Sequence, residues 1–406
     1  MKPNLKTGLP FLVAGGGIGG LAAALALARR GYAVRVLEQS AEFKEIGAGI
    51  QLGPNVFRMF ERLGLTDAIN GFAVYPDNLV MMDGITGEEV TRVPVGSKAF
   101  RERFGGYPYA VIHRADMQQV YLDACKSEPH IELSVLRKAL GHEDTGERVL
   151  LHMEGGESIE GGESIEGCAL IGADGLWSRV RDQLLGEGKP RVSGHIAYRA
   201  VLPRAEVPDG LWRNDVVLWA GPKTHLVHYP LRRGELYNLV AVFHSDRYEE
   251  GWNTFGDPEE LHRKFSDERP EVMALLAKIN AWKMWVLCDR EPVREWSKGR
   301  VTLLGDAAHP MLQYLAQGAN MATEDAVVLA ACVELSGGQL EQAFRRYQDE
   351  RYLRTAKVQM TARYYGDVYH AAGVVRELRN GLFAGKPPDP TFSSMAWLYD
   401  GIKVPS

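Results

Sequence analysis

Residues 15–20 read Gly15-Gly-Gly17-Ile-Gly-Gly20, a spacing that few folds can use. The run Pro10–Ala14 before it is apolar and of strand length. Ile18–Arg30 after it is an Ala/Leu-rich helix with Gly31 as its C-cap, and Ala33–Glu38 is a second strand. In such a strand–turn–helix–strand unit, Gly15 allows the tight turn and Gly17 lets backbone approach a pyrophosphate. Gly20 lets helix and strand pack closely. The pyrophosphate then meets the positive end of the helix. Glu38, 18 positions beyond Gly20, is placed to accept hydrogen bonds from both hydroxyls of a ribose. The unit predicts an α/β, Rossmann-like dinucleotide domain, and alone it does not separate NAD from FAD.

The same glycines settle a possible confusion. Leu9–Ala28 is mostly apolar behind a Lys-containing N-terminus, rather like a signal peptide, but its glycines disfavour a leader or span. No other apolar run is long enough to cross a bilayer, so no membrane span and a cytoplasmic location are expected. A net charge of -5 supplies no basic field for nucleic acid. Cys125, Cys168, Cys288 and Cys332 show no CxxC spacing, and the eleven histidines no HxxxH or HExxH. The thiols are therefore read as buried and reduced, and no metal site is expected.

Helical patterning returns at Pro54–Leu63 and Arg114–Lys126. Tyr198–Phe243 alternates with turn signals, as an antiparallel sheet does, and Val301–Leu304 is a buried strand. Ala322–Leu335 is a helix preceded by Gly318, Ala319 and Asn320. Gln339–His370 is helical with one charged face, a surface that could pair in a homodimer. The hexapeptide Gly155–Glu160 is repeated at Gly161–Glu166 and reads as a lengthened surface hairpin loop.

Three further stretches carry a resemblance: Gly172-Ala-Asp-Gly-Leu-Trp-Ser-Arg-Val-Arg181, Gly305-Asp-Ala-Ala-His-Pro310, and Gly47-Ala-Gly-Ile-Gln51 together with Arg114. In order and spacing, over essentially the whole chain, they resemble the class A flavoprotein aromatic hydroxylases of the p-hydroxybenzoate and salicylate hydroxylase type. The resemblance implies a Rossmann-like FAD domain (residues 1–76, 108–185 and 296–340), an antiparallel-sheet substrate domain (77–107 and 186–295) and a helical C-terminal segment (341–406). It implies that Asp174 lies near the FAD pyrophosphate and an NAD(P)H path, that Asp306 holds the ribityl chain, and that Gln51 and Arg114 touch FAD. Arg181 is either part of that motif or a surface ion pair. Gly318, Ala319 and Asn320 lead into a helix whose N-terminus, aimed at the flavin, would stabilise its reduced anion. No second G-x-G-x-x-G follows, so NADH or NADPH is expected to bind transiently in a groove of the FAD domain.

Within that family, Gly221–Pro230 and His309–Gly318 resemble the 3-hydroxybenzoate 6-hydroxylase group, which uses O2 to form gentisate. The resemblance puts His225, Tyr229 and Gln313 in the active site. A strand over Thr224–Pro230 agrees: His225, Val227 and Tyr229 share one face, and Leu226 and His228 take the other. A phenol ionises near 10, like tyrosine. A base that removes its proton enriches the ring para to the oxygen, and His225, titrating near neutrality, suits that task. Tyr229 and Gln313 would bond the carboxylate or phenolate and set which carbon reacts. His113 and His309 read as structural. Salicylate 1-hydroxylation to catechol and CO2 stays open, as does a flavin-binding reductase or regulator that never hydroxylates.

Overall fold

The computed structural model describes residues 8–43, 48–154, 163–245, 254–279 and 281–406. Gly47 and most of the hexapeptide repeat lie outside the described residues.

The opening unit forms as its pattern requires. Phe11–Ala14 is buried at every position and pairs in parallel with Val34–Leu37 on one side and Ala169–Gly172 on the other. A strand covered on both faces must be apolar throughout, and Phe-Leu-Val-Ala is. Ile131–Ser134 and Val301–Leu303 extend this sheet on either flank, and Ser297–Lys298 closes one edge antiparallel. Helix Ile18–Ala28 is buried along almost its whole length and packs against helix Gly318–Leu335. Their Gly and Ala positions let the two backbones approach. Glycine-loop residues therefore end at the carboxyl edge of an open parallel sheet, where such folds bind ligands.

A second sheet has eight strands. Its order is Thr254–Phe255, Lys283–Asp289, Arg191–Pro203, Leu236–His244, Thr224–Leu231, Asp215–Gly221, Asn78–Asp83 and Glu89–Val93. It is antiparallel except where Asp215–Gly221 runs parallel to Asn78–Asp83. One face carries Leu226, Leu239, Phe243 and Met284 into a separate core. The other face, with His225, Val227, Tyr229 and Val240, lines a cavity shared with residues of the first unit. Strand periodicity of two makes this division, because alternate residues must serve opposite sides.

Helix Leu340–Tyr369 buries Phe344, Tyr347, Arg351, Thr355, Val358 and Ala362, a helical stripe along both units. Two shorter helices, Gly373–Phe383 and Pro388–Tyr399, complete the C-terminus. One expectation is corrected here. The helix read as Ala322–Leu335 begins at Gly318, so Gly318–Met321 is its first turn rather than its approach. Glycine counts against helix interiors, but a first turn leaves its N–H groups unbonded in any case.

Candidate active site

The glycine loop is a cradle that side chains would fill. Gly15 has φ +107, and a Cβ there would stand 2.4 Å from the Ala173 carbonyl oxygen; one at Gly20 would stand 2.0 Å from that of Gly15. Both are impossible contacts, so only bare backbone fits. Helix Ile18–Ala28 has neither a side-chain N-cap nor an acidic residue in its first turn, which leaves its terminal N–H groups for an anion. Glu38 accepts from the backbone N–H of Gly16 (2.8 Å) and of Ser40 (2.8 Å). Each carboxylate oxygen keeps a lone pair for a ribose hydroxyl. The residues present fit the ADP half of a dinucleotide.

Asp174 is tied into its own loop. Its carboxylate accepts from Ser178 Oγ (2.5 Å) and from the N–H groups of Arg179 (2.8 Å) and Val180 (3.3 Å). The side chain thus caps helix Arg179–Leu185, and desolvation raises its pKa. Its backbone lies beside Gly15. The surface ion pair considered for Arg181 is also corrected, for Arg181 is 1% exposed. Its Nη1 donates to the carbonyls of Ala307 (2.9 Å) and Ala308 (2.6 Å), and Glu187 neutralises it. This one guanidinium ties the Asp174 motif to the Asp306 motif.

Asp306 sits on the single turn Gly305–Ala307 that follows strand Val301–Leu303. Its side chain reaches into a cavity of about 690 Å³, accessible there yet walled by protein. Desolvation raises its carboxyl, and Arg114, on the same cavity, opposes this. His309 is buried on Asp325 at 2.6 Å, and His113 caps its helix by accepting from Ala115 N–H, so both are structural. Gly318 and Ala319 line the cavity at the uncapped start of their helix. The amide of Asn320 is committed elsewhere: it donates to Gln51 and Ala316 carbonyls and accepts from Gly53 N–H. It therefore clamps the helix start to strand Gly49–Leu52, and only its backbone is left for a cofactor.

The same cavity takes in the substrate-sheet face. His225, Val227 and Tyr229 line it. Leu226 packs in the opposite core, and His228 is held away by Trp219 and Tyr237. Tyr229 stands against Gly49, where no Cβ would fit. Gln51 accepts from Tyr109 and also bonds Tyr229. Gln313 accepts from Arg199. His225 departs from the near-neutral expectation. Burial, followed by His195 and His244, pushes it down to about 3, so it rests as a neutral imidazole with Nδ1 against His370 Nε2 at 2.6 Å.

Two groups at the site, Arg199 on the cavity and His370 behind His225, escaped sequence reasoning. Arg199 lies over the Trp285 ring at 5.0 Å, and among the described residues no carboxylate pairs with it. Desolvation, then Arg114, lowers it to about 10. A cation inside the alternating run Tyr198–Phe243 was the one available signal. His370 gave none, being 145 residues from its partner His225.

Bare-backbone loop, uncapped helices and an aromatic-sized chamber between two sheets define a dinucleotide-dependent oxidoreductase. Comparison with known proteins is more specific. The profile of the FAD binding domain family matches residues 9–362, and the chain belongs to that family; it is a class A flavoprotein aromatic hydroxylase. It is 48% identical to a 3-hydroxybenzoate 6-hydroxylase of Polaromonas naphthalenivorans (strain CJ2) over 96% of each chain. It is 45% identical to a 3-hydroxybenzoate 6-hydroxylase of Klebsiella oxytoca, again over 96% of each. Its fold superposes on Klebsiella pneumoniae HpxO complexed with FAD and uric acid, with TM-score 0.81, 25% identity and 95% of each chain covered. No helix among the described residues is long and apolar enough to cross a membrane.

Proposed function

We propose that this chain hydroxylates 3-hydroxybenzoate para to its hydroxyl, so that substrate, NAD(P)H, a proton and O2 become gentisate, NAD(P)+ and water. The observation that carries this is the convergence of His225, Tyr229, Gln313 and Arg199 on the chamber that Asp306 and Arg114 enter from the other side. Gly15, Gly17, Gly20 and Glu38 would hold the ADP half of FAD, and Asp306, Arg114 and Gln51 the remainder, beside the helix start at Gly318. Reduced by NAD(P)H, bound FAD supplies an electrophilic oxygen derived from O2.

The chain's own residues do the rest. Arg199, which no carboxylate pairs with among the described residues, receives the substrate carboxylate and is steadied by Gln313. With Nδ1 committed to His370, His225 offers Nε2 to the phenolic hydroxyl and takes its proton. Tyr229 hydrogen-bonds the phenolic oxygen and fixes the ring, so that the para carbon faces the flavin side. Apolar walls such as Val227, Leu312 and Met311 exclude water. The substrate domain of residues 77–107 and 186–295 belongs to this reading, as does a cytoplasmic location, where the unpaired thiols Cys125, Cys168 and Cys332 stay reduced. A homodimer fits the exposed apolar residues of the C-terminal helices, Leu353 and Met360 on one and Val374, Leu378 and Leu382 on the next; a monomer by light scattering would remove it.

The test is product analysis with a panel of hydroxybenzoates under NADH or NADPH. Gentisate from 3-hydroxybenzoate is expected; catechol with equimolar CO2 from salicylate in its place overturns the proposal. His225→Asn should keep FAD bound and reducible, slow hydroxylation by roughly 10²–10⁴-fold, and divert NAD(P)H to hydrogen peroxide.

A further inference from the structure

Three imidazoles from separate elements meet at one end of the substrate sheet, behind the His225 wall of the cavity. His195 and His244 stand directly opposite each other on neighbouring antiparallel strands, so their side chains leave the same face of the sheet. The pairing of Arg191–Pro203 with Lys283–Asp289 slips between Val192 and Ile196. A bulge of this kind re-aims the residues inside it, His195 among them. His370 caps the carboxyl end of helix Leu340–Tyr369 and packs on the pair. Ring centroids are 4.2 Å apart for His195 and His244, 4.8 Å for His195 and His370, and 4.9 Å for His244 and His370. One nitrogen from each ring lies within 4.8 Å of the other two.

We propose that His195, His244 and His370 form a binding site for a divalent transition ion of the zinc class, and that the bound ion inhibits hydroxylation by fixing the tautomer of His225. The inhibition rests on the substrate reading above; the site itself does not.

The donor set selects the ion. Three neutral imidazoles suit zinc or copper, whereas Mg2+ and Ca2+ take oxygen ligands. Zn–N bonds of about 2.0–2.1 Å at tetrahedral angles set ligand nitrogens about 3.3 Å apart. His244 Nε2 and His370 Nδ1 are 3.0 Å apart, close to that length, and rotation of the partly exposed His195 ring brings in the third nitrogen. Water takes the fourth position, as it does at other three-histidine zinc sites.

The outer partners that orient metal-bound histidines are also present. With His195 Nδ1 on the Tyr314 hydroxyl, its Nε2 is left for the ion. With His370 Nε2 on His225 Nδ1 at 2.6 Å, its Nδ1 is left. Of the charges that act on His244, Asp367 favours a cation there, and Lys223 and Lys264 oppose it. The carboxyl end of the helix that His370 caps adds to the favourable side. His195 and His244 are partly exposed, which opens a path from solvent. No HxxxH or HExxH spacing announces the set, because two strands and a helix end supply it.

One hydrogen bond couples the site to the reaction. Without the ion, His225 Nδ1–H donates to His370 Nε2, and His370 Nδ1–H donates to His244 Nε2. That arrangement leaves a lone pair on His225 Nε2 for the phenolic hydroxyl. An ion on His370 Nδ1 takes the lone pair of that nitrogen, so the one proton of the ring sits on Nε2. Nε2–H then donates to His225 Nδ1, and the proton of His225 sits on its Nε2, facing the substrate. Neither ring gains or loses a proton overall. His225 still holds a phenolic oxygen, now as a donor, and no longer accepts its proton.

The experiment strips the FAD-loaded enzyme with EDTA, dialyses it against Zn2+ in metal-free buffer, analyses the retained metal and then assays the product. Wild type should retain one equivalent of zinc and form gentisate roughly 10²-fold more slowly than the zinc-free enzyme. It should still bind 3-hydroxybenzoate by flavin absorbance and divert NAD(P)H to hydrogen peroxide. Mg2+ should be neither retained nor inhibitory. His195→Ala and His244→Gln should each weaken zinc retention by roughly 10²-fold or more and form gentisate at a rate indifferent to zinc. No zinc on wild type, or equal retention in both variants, would overturn the site and leave the three nitrogens as hydrogen-bonding groups alone. Full gentisate formation with zinc in place would overturn the inhibition. So would inhibition that persists in both variants, which would point to a thiol such as Cys288 on the cavity. Zinc retained by wild type and lost in the variants, with no gentisate from the zinc-free enzyme, defeats the substrate reading alone; gentisate without zinc retention defeats the site alone.

Discussion

Replacing Arg199 with methionine keeps much of the side chain's length and its packing on Trp285, and deletes the charge. That charge is costly to hold: burial and Arg114 together bring it well below the ordinary guanidinium range, to about 10. At about 1.4 kcal/mol per pKa unit, the penalty is ~3 kcal/mol, of which water entering the chamber returns a part. A substrate carboxylate that restores a counterion can recover about 2 kcal/mol, the usual worth of a charge-assisted hydrogen bond. Arg199→Met should therefore weaken 3-hydroxybenzoate binding by roughly 30-fold, read by titrating the flavin absorbance. The neutral analogue 3-hydroxybenzyl alcohol should bind the variant and wild type within about threefold of each other. An equal loss for both ligands would mean that methionine merely disturbs the chamber. No loss for either would mean that the carboxylate lies elsewhere, and Arg199 would leave the mechanism.

Three other perturbations separate scaffold from chemistry. Gly20→Ala puts a Cβ 2.0 Å from the Gly15 carbonyl oxygen, so the purified variant should lose bound flavin, seen as a collapse of the visible-to-280 nm absorbance ratio. Arg351→Met strips Glu324 and Asp325 of a buried partner at 2.7 and 2.6 Å and should cost about 3–5 kcal/mol in urea unfolding at neutral pH. Asp325 is held at about 2 in the fold, below its unfolded value near 4. Its contribution is thus present above pH 4 and lost as pH falls toward 2, and the gap between wild type and variant should narrow there. Glu268 behaves oppositely. Burial raises it to about 7, so its stabilising protonated state is complete below about 4.5 and lost as pH rises through 7. Glu268→Gln should gain roughly 1–3 kcal/mol over wild type at pH 8 and little at pH 5, by the same urea assay.

How far sequence reached depends on the range of the interaction. The glycine loop and the His225/Tyr229 face follow from periods of a few residues, so both could be read directly. Asp174 shows how local bonding redirects a side chain: its backbone lies beside Gly15, while Ser178 and the N–H groups of Arg179 and Val180 occupy its carboxylate. Asn320 is similar, its amide taken by Gln51 and Gly53 across the fold. The pairing of His225 with His370 depends on where a 30-residue helix ends against a sheet, and nothing local encodes that. Nor does the sequence position of Arg199 disclose that no carboxylate among the described residues faces it; that is a property of the assembled chamber.

The guanidinium of Arg181, fastened to the carbonyls of Ala307 and Ala308, sets a schedule for the newborn chain. The cradle needs Phe11–Ala14, Ala169–Gly172 and Val301–Leu303 side by side, in parallel pairings that close long loops and form slowly. During synthesis the glycine loop emerges hundreds of residues before its last neighbours. Until the ribosome has passed them, the loop has no floor and no lock, so the nascent chain has nothing with which to retain a flavin. Cofactor uptake is thereby deferred to the end of translation. A fragment cut short before Leu303 should be a client of chaperones, never a half-competent flavoprotein.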